Sequence, residues 1–183
     1  RPADADRNTT SPEPIDLTIE QCDLFIRKYQ NQVVVKLDGL AGGKGVKVWG
    51  VHFTNLYELE MYLKELIMSN TQFILEEKFI GKEFSVLSLT DGISFFHGKP
   101  IMDFKLLKNG DKGPNTGSMG SLMDYNGLHF LNSSDIDTAN LINEMVVDLL
   151  NSMDKKNSYN GVLYGSFMKT KSGIKVIAVS YTH

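Results

Sequence analysis

The stretch VVVKLDGLAGGKGVKV, residues 33–48, decides the reading of this chain. Two runs rich in valine, Val33-Val34-Val35 and Val46-Lys47-Val48, enclose a centre holding Gly39, Gly42, Gly43 and Gly45. β-Branched side chains suit a pleated strand and clustered glycines suit a turn. The pattern therefore predicts strand, glycine-rich turn, strand. Lys36 and Lys44 stand on either side of the turn. Glycines let backbone N–H groups approach an anion closely, and ammonium groups beside them add point charge. Two readings follow from this stretch alone: a phosphate-binding loop, or a hairpin with solvated lysines. It is not a Walker loop. That motif reads G-x-x-x-x-G-K-[ST] and opens a helix, whereas Lys44 is followed by Gly45 and a strand-like run.

Working outward, Thr18 with Gln21 has the form of a capping box. Cys22, Phe25, Ile26 and Tyr29 follow at helical spacing, which makes Cys22 a core residue and not a nucleophile. Asn55 with Glu58 opens a second helix, with Leu56, Leu59, Leu63, Leu66 and Ile67 on one face, and a strand is expected over residues 72–77. Residues 15–75 thus read as a small α+β lobe, helix–strand–turn–strand–helix–strand. From residue 76 to 183 a larger lobe is expected. It has strands at 83–90 and 93–97 joined by an Asp91-Gly92 turn, and a strand at 100–107 ending in a loop over 108–120. A long helix capped by Ser134 or Asp135 comes next, with Ile142, Met145, Val146, Leu149, Leu150 and Met153 inward. A final strand pair turns at Ser172-Gly173. Residues 1–14 read as a disordered linker or an artificial remnant, with no apolar core of a signal peptide.

Composition narrows the classes. The 183 residues are 42% hydrophobic, enough to bury a core, and no apolar run is long enough to span a membrane. A single cysteine excludes an intrachain disulfide and fits a cytoplasmic setting. The net charge of −3 argues against nucleic acid as a partner. Against that background residues 36–47 and 97–112 each carry net +2 beside glycine turns, which points to a small anionic ligand. The four histidines show no metal-ligand spacing.

Two further segments carry chemistry. Residues 76–85, EEKFIGKEFS, join the two lobes; an extended hinge offers backbone groups to an adenine edge, and a carboxylate such as Glu83 accepts from ribose hydroxyls. Residues 110–120, GDKGPNTGSMG, are long for a connection and dense in glycine, as functional loops are.

Together VVVKLDGLAGGKGVKV, EEKFIGKEFSVLSLTDG, MDFKLLKNGDKGPNTGSMG and NGVLYGSFM, in this order, resemble the ATP-grasp region of the phosphoribosylamine–glycine ligases. The resemblance runs from about residue 15 to 179. It implies an α+β ATP-grasp fold, two lobes with the nucleotide site between them. It also implies a reaction: ATP, glycine and 5-phosphoribosylamine give glycinamide ribonucleotide, ADP and phosphate, a step of purine biosynthesis.

Carried over motif by motif, the resemblance assigns Lys36, Gly42, Gly43, Lys44 and Gly45 to the ATP phosphates. Glu76, Glu77 and Phe79 fall at the adenine segment and Glu83 at the ribose. Asp103 and Lys105 match the Asp and Lys of the family's D-H-K-R, a catalytic role; Asn115, Thr116 and Gly117 match its substrate loop. Phe104, Leu106 and Ser118 depart from the family's His, Arg and second Gly. The family's Mg²⁺ ligands, a Glu and an Asn, are Ala178 and Ser180 here, so no metal ligand is assigned. Two expectations follow: a ligase core that is a fragment or has impaired activity, its flanking domains missing, or a non-catalytic nucleotide-binding or interaction protein derived from the family.

Overall fold

The computed structural model describes residues 18–38, 45–110, 112–153 and 158–181. The predicted linker at 1–14 lies outside them. Two sheets carry the architecture. The first has three strands in the order β2-β1-β3: β1 (Val33–Leu37), β2 (Val46–Val48) and β3 (Phe73–Glu77), with both neighbours antiparallel to β1. Helices α1 (Ile19–Lys28) and α2 (Leu56–Met68) accompany it. Their apolar faces meet alternate residues of β1 in a core of Cys22, Ile26, Val33, Val35, Phe53, Leu59, Leu63 and Leu66.

The helix starts are fixed locally. Thr18 Oγ1 accepts from Gln21 N–H at 3.2 Å, and Gln21 Oε1 accepts from Thr18 N–H at 2.9 Å, a complete capping box. Asn55 caps α2 through Glu58 N–H, but the Glu58 carboxylate passes over Asn55 and accepts from Thr54 N–H at 2.7 Å. Burial pushes the Cys22 thiol above its ordinary range, with Asp23 adding to the effect, which suits a packing residue.

The second sheet runs β11-β10-β4-β5, formed by β4 (Gly81–Thr90), β5 (Phe95–His97), β10 (Gly161–Thr170) and β11 (Gly173–Tyr181). The turn between β4 and β5 is wider than the two residues expected: Asp91 Oδ1 accepts from Ile93 and Ser94 N–H, so pairing resumes only at Phe95. The expected strand at 100–107 is broken. Ile101 bridges Ser85, then β6 (Met102–Asp103) and β7 (Leu106–Lys108) follow. The predicted loop folds back on them as β8 (Lys112–Asn115) against β7 and β9 (Ser121–Leu122) against β6.

Helix α3 (Ser133–Met153) packs on the face of β4 that carries Phe84, Val86 and Ser88. Its start is neither Ser134 nor Asp135 as cap. Asn132 and Asp135 exchange side chain–backbone bonds at 2.9 and 3.0 Å, which makes Asn132 the cap. Its inward row also differs from expectation. Asp135, Ala139, Asn143 and Val147 are buried, while Met145, Leu149 and Met153 are exposed; Ile142, Val146 and Leu150 are half-buried at the boundary.

The buried polar groups explain the turn of the helix. Lys169 on β10 pairs with Asp135, and Asn143 Nδ2 donates to Ser88 Oγ at 2.8 Å and to the Val86 carbonyl at 3.2 Å. Burial opposes ionisation of Asp135 most strongly, yet Lys169 and the Asn132 N–H together outweigh it and hold the carboxyl below its ordinary range. Gly165 on β10 has to be glycine, because a Cβ there would lie 2.2 Å from Asn143 Oδ1.

Candidate functional site

The residues singled out in the sequence gather along the line where the two sheets adjoin. β1 places Lys36 with its ammonium 2.6 Å from Glu76 Oε2, and β3 supplies Glu76 directly across from Val34. Glu77 ends β3 and is exposed; Lys78–Ile80 then connects to β4, with Phe79 half-buried. The connection is braced on both sides. Lys78 N–H donates to the Gln32 carbonyl at 2.9 Å, and its ammonium donates to the Trp49 carbonyl at 2.7 Å. Lys175 of β11 lies 5.9 Å from the centre of the Phe79 ring, on the other side.

Glu83 is the third residue of β4 and half-buried, and Lys105 reaches it at 2.6 Å. Glu83, Phe84, Ser85, Asp103 and Lys105 line one small indentation, too narrow to admit a water molecule. The structure thus brings together the predicted ribose carboxylate and the two predicted catalytic residues. About a third of each side chain of the Lys105–Glu83 pair is exposed, so its contribution to stability is under about 1 kcal/mol. Its consequence is positional: it aims two charged groups at one place.

The predicted substrate loop is held as a ribbon. Thr116 donates to the Lys105 carbonyl through N–H at 2.7 Å and through Oγ1 at 2.9 Å. Gly117 is exposed beside it. Asn115 lies opposite Leu106 at the end of β8. Ser118, where the family motif has glycine, donates to Asp103 Oδ1 at 2.5 Å and accepts from Gly120 N–H at 3.1 Å. Its hydroxyl therefore ties the loop to a predicted catalytic carboxylate, a contact that a glycine motif gives no means of anticipating.

Gly42, Gly43 and Lys44 lie outside the described residues; Gly45 is buried at the foot of β2, where its carbonyl accepts from Leu37 N–H. Ala178 and Ser180 sit on β11 opposite Ser166 and Tyr164, both exposed. Among the described residues no group of three or more His, Cys, Asp or Glu could hold a metal ion. Lys36 makes one further contact that the sequence did not announce, to the carbonyl of Ile177 on β11 at 2.9 Å. No side-chain pattern could signal it, because the acceptor is backbone.

Two other features have the outline of a site. Ser88, His97 and Glu144 are linked at 2.8 and 3.0 Å, the spacing of a nucleophile–base–acid array. Ser88 is fully buried and accepts from Asn143, so the array is a hydrogen-bonded strut between β4, β5 and α3. An open groove of about 900 Å³ along α2, lined by residues such as Tyr57, Met61, Tyr62 and Met68, contains none of the residues above.

The family model of the phosphoribosylglycinamide synthetase ATP-grasp (A) domain matches residues 8–182. The chain belongs to that family. Its fold is accordingly ATP-grasp, of the α+β class. The chain is 39% identical over 156 residues to the phosphoribosylamine–glycine ligase of Methanocorpusculum labreanum, covering 84% of this chain and 35% of that protein. With the enzyme of Methanosarcina barkeri it shares 40% identity over 154 residues, again 84% and 35%. The crystal structure of phosphoribosylamine–glycine ligase from Thermotoga maritima superposes with a TM-score of 0.70 at 26% identity, over 90% of this chain and 41% of that one. D-Alanyl-alanine synthetase A from Vibrio cholerae shares the fold alone, with a TM-score of 0.61 at 12% identity over 92% of this chain and 47% of that one. This ATP-grasp chain spans about a third of the length of the curated relatives it matches. No helix among its described residues is long and apolar enough to cross a membrane.

Proposed function

We propose that this chain is the ATP-binding core of a phosphoribosylamine–glycine ligase acting in cytoplasmic purine biosynthesis. Residues 15–75 form the small lobe and 76–183 the large one, with ATP between them. The observation that carries the reading is the arrangement of two lysine–glutamate pairs, Lys36–Glu76 and Lys105–Glu83, at the two ends of the segment that connects the sheets. A nucleotide lying along that segment meets backbone donors and acceptors at Glu77 and Phe79 and a carboxylate at Glu83. Its phosphates meet Lys36, with Gly42, Gly43, Lys44 and Gly45 as the flap over them. Transfer of the γ-phosphoryl group to the glycine carboxylate leaves ADP. The amine of phosphoribosylamine then displaces phosphate from the acyl phosphate to give glycinamide ribonucleotide. The protein's share of that work is positioning and charge neutralisation, which lysines supply without taking part covalently. Asp103 and Lys105 face the reacting groups; Asn115, Thr116 and Gly117 hold the substrate.

One observation favours a second reading, a nucleotide-binding relative without catalytic activity. Mg²⁺ takes oxygen ligands in near-octahedral geometry. Ala178 offers none from its side chain and Ser180 only a hydroxyl, so the residues present do not fit the ion, and no step is routed through it. The two readings separate in one experiment. ADP release is followed with glycine, phosphoribosylamine and Mg²⁺, beside calorimetric titration with ATP. Saturable ATP binding with ADP release supports the ligase core, and binding without release supports the non-catalytic reading. Turnover that Lys36→Ala abolishes would overturn the non-catalytic reading, and failure to bind ATP would overturn both.

A further inference from the structure

Residues 116–120 lie against residues 103–105 one by one. Thr116 donates to the Lys105 carbonyl through N–H at 2.7 Å and through Oγ1 at 2.9 Å. Met119 N–H donates to the Phe104 carbonyl at 2.7 Å, and Phe104 N–H donates to the Gly120 carbonyl at 2.9 Å. All of these end on backbone oxygens, so they fix the path of the loop and aim no side chain across from it. The contact at Ser118 differs. Its Oγ donates to Asp103 Oδ1 at 2.5 Å, and the same oxygen accepts from Gly120 N–H at 3.1 Å. Among these contacts Ser118 alone orients a side chain on the 103–105 segment.

Asp103 depends on that bond. The neighbouring carboxylate, Glu83, is held by the Lys105 ammonium at 2.6 Å. Among the described residues no lysine, arginine or histidine pairs with Asp103. The direction of the Asp103 carboxylate is therefore set by a hydroxyl that comes from the loop, and the loop is held in turn by the carboxylate. Glycine at position 118, the residue of the family motif, would supply no hydroxyl. It would also leave the backbone more freedom to lose on ordering. A loop ordered before its ligand arrives has less entropy to lose when the ligand binds.

We propose that Ser118 is a positioning residue. Its hydroxyl latches the substrate loop onto Asp103 before substrate arrives, and so presets both Asp103 and residues 115–117 for the amino-acid substrate. The effect falls on substrate affinity and leaves nucleotide affinity unchanged. The bonds of Ser118 run to Asp103 and Gly120, neither of which is on the segment 76–83 that meets the nucleotide. The proposal rests on the ligase reading above, in which this loop holds the substrate, and adds what holds the loop.

The test is titration of the whole chain with glycine, followed by NMR, after saturation with a non-hydrolysable ATP analogue. Ser118→Gly and Ser118→Ala are expected to weaken glycine binding about fivefold or more, the effect of losing one hydrogen bond to a charged group at an exposed position. Ser118→Thr, which keeps the hydroxyl, is expected to stay within about twofold of the unaltered chain, and the analogue itself should bind all three variants within about twofold. A second readout needs no ligand. Three-bond couplings at the Asp103 Cβ protons should report one rotamer in the unaltered chain and in Ser118→Thr, and averaging over rotamers in Ser118→Ala. A purely structural role for Ser118 would not move them. Glycine affinity unchanged in Ser118→Gly, or a single Asp103 rotamer in Ser118→Ala, overturns the proposal. Glycine that fails to bind the analogue-loaded chain also overturns it and leaves the nucleotide site standing. No binding of the analogue by the unaltered chain overturns the ligase reading and the substrate role that rests on it.

Discussion

The two sheets solve the same problem, covering one face, with different materials. Around the three-stranded sheet every buried side chain among the described residues is apolar, from Cys22 and Ile26 on α1 through Val33 and Val35 to Leu59, Leu63 and Leu66 on α2. Behind the four-stranded sheet α3 buries Asp135 and Asn143 in the same row as Ala139 and Val147, against Ser88 and Lys169. In the first case hydrophobic periodicity alone orients the helices. In the second the polar partners choose the face, and an apolar row of Leu141, Met145, Leu149 and Met153 is left outside. A buried carboxylate or amide is tolerated only where its partners stand, so a helix carrying two of them turns to meet those partners.

The largest test of this contrast is to hollow each core in turn. Phe84→Ala should cost about 4 kcal/mol and Leu59→Ala about 3 kcal/mol in urea unfolding. The two clusters share no residue, so the double variant should show the sum within about 0.5 kcal/mol. Strong coupling would mean that the cores are one. Gly165→Ala comes next, at about 2–3 kcal/mol, because its methyl group would collide with Asn143 Oδ1 and the Phe167 ring. A loss below about 0.5 kcal/mol there would show that α3 does not sit so close to β10.

The polar core is also sensitive to acid through a buried carboxylate. The Asp135 carboxyl is held below its ordinary value of 3.8, so its stabilisation is present above that pH and is lost as pH falls through the folded-state value. Asp135→Asn should therefore cost about 2 kcal/mol at pH 7, the worth of a hydrogen bond to a charged group. The gap from the unaltered chain should close in acid, as read from urea midpoints across pH. A gap that is constant with pH would place the loss in packing. The smallest effect belongs to the outer row of α3. Met145→Gln should change stability by less than about 0.5 kcal/mol. A loss of 2 kcal/mol or more would restore the inward face expected from periodicity.

The legible and illegible parts of the site divide along similar lines. Local signals carried well where they act within one turn or one strand pair. Examples are the Thr18–Gln21 box, the valine strands around the glycine turn, and the segment between Glu76 and Glu83. They failed where a side chain reshapes a turn or where a strand's partner carries no apolar alternation. Asp91 widens the β4–β5 turn through its carboxylate. The segment at 108–120 looked irregular because its strand partner, 102–108, precedes it across a glycine-rich turn and shares no apolar alternation with it.

The resemblance to its family implied the ATP-grasp fold; the sequence by itself determined the two helices on the small sheet and which charged residues stand beside glycine turns. These follow from residue type and spacing, which act over a few positions. Only the tertiary structure decided which face of α3 is inward, that Ser118 binds Asp103, that Lys105 meets Glu83, and that Lys36 reaches the Ile177 carbonyl. Each of these joins groups far apart in the chain or ends on a backbone atom. A backbone carbonyl is the same at every residue, so only folding singles one out.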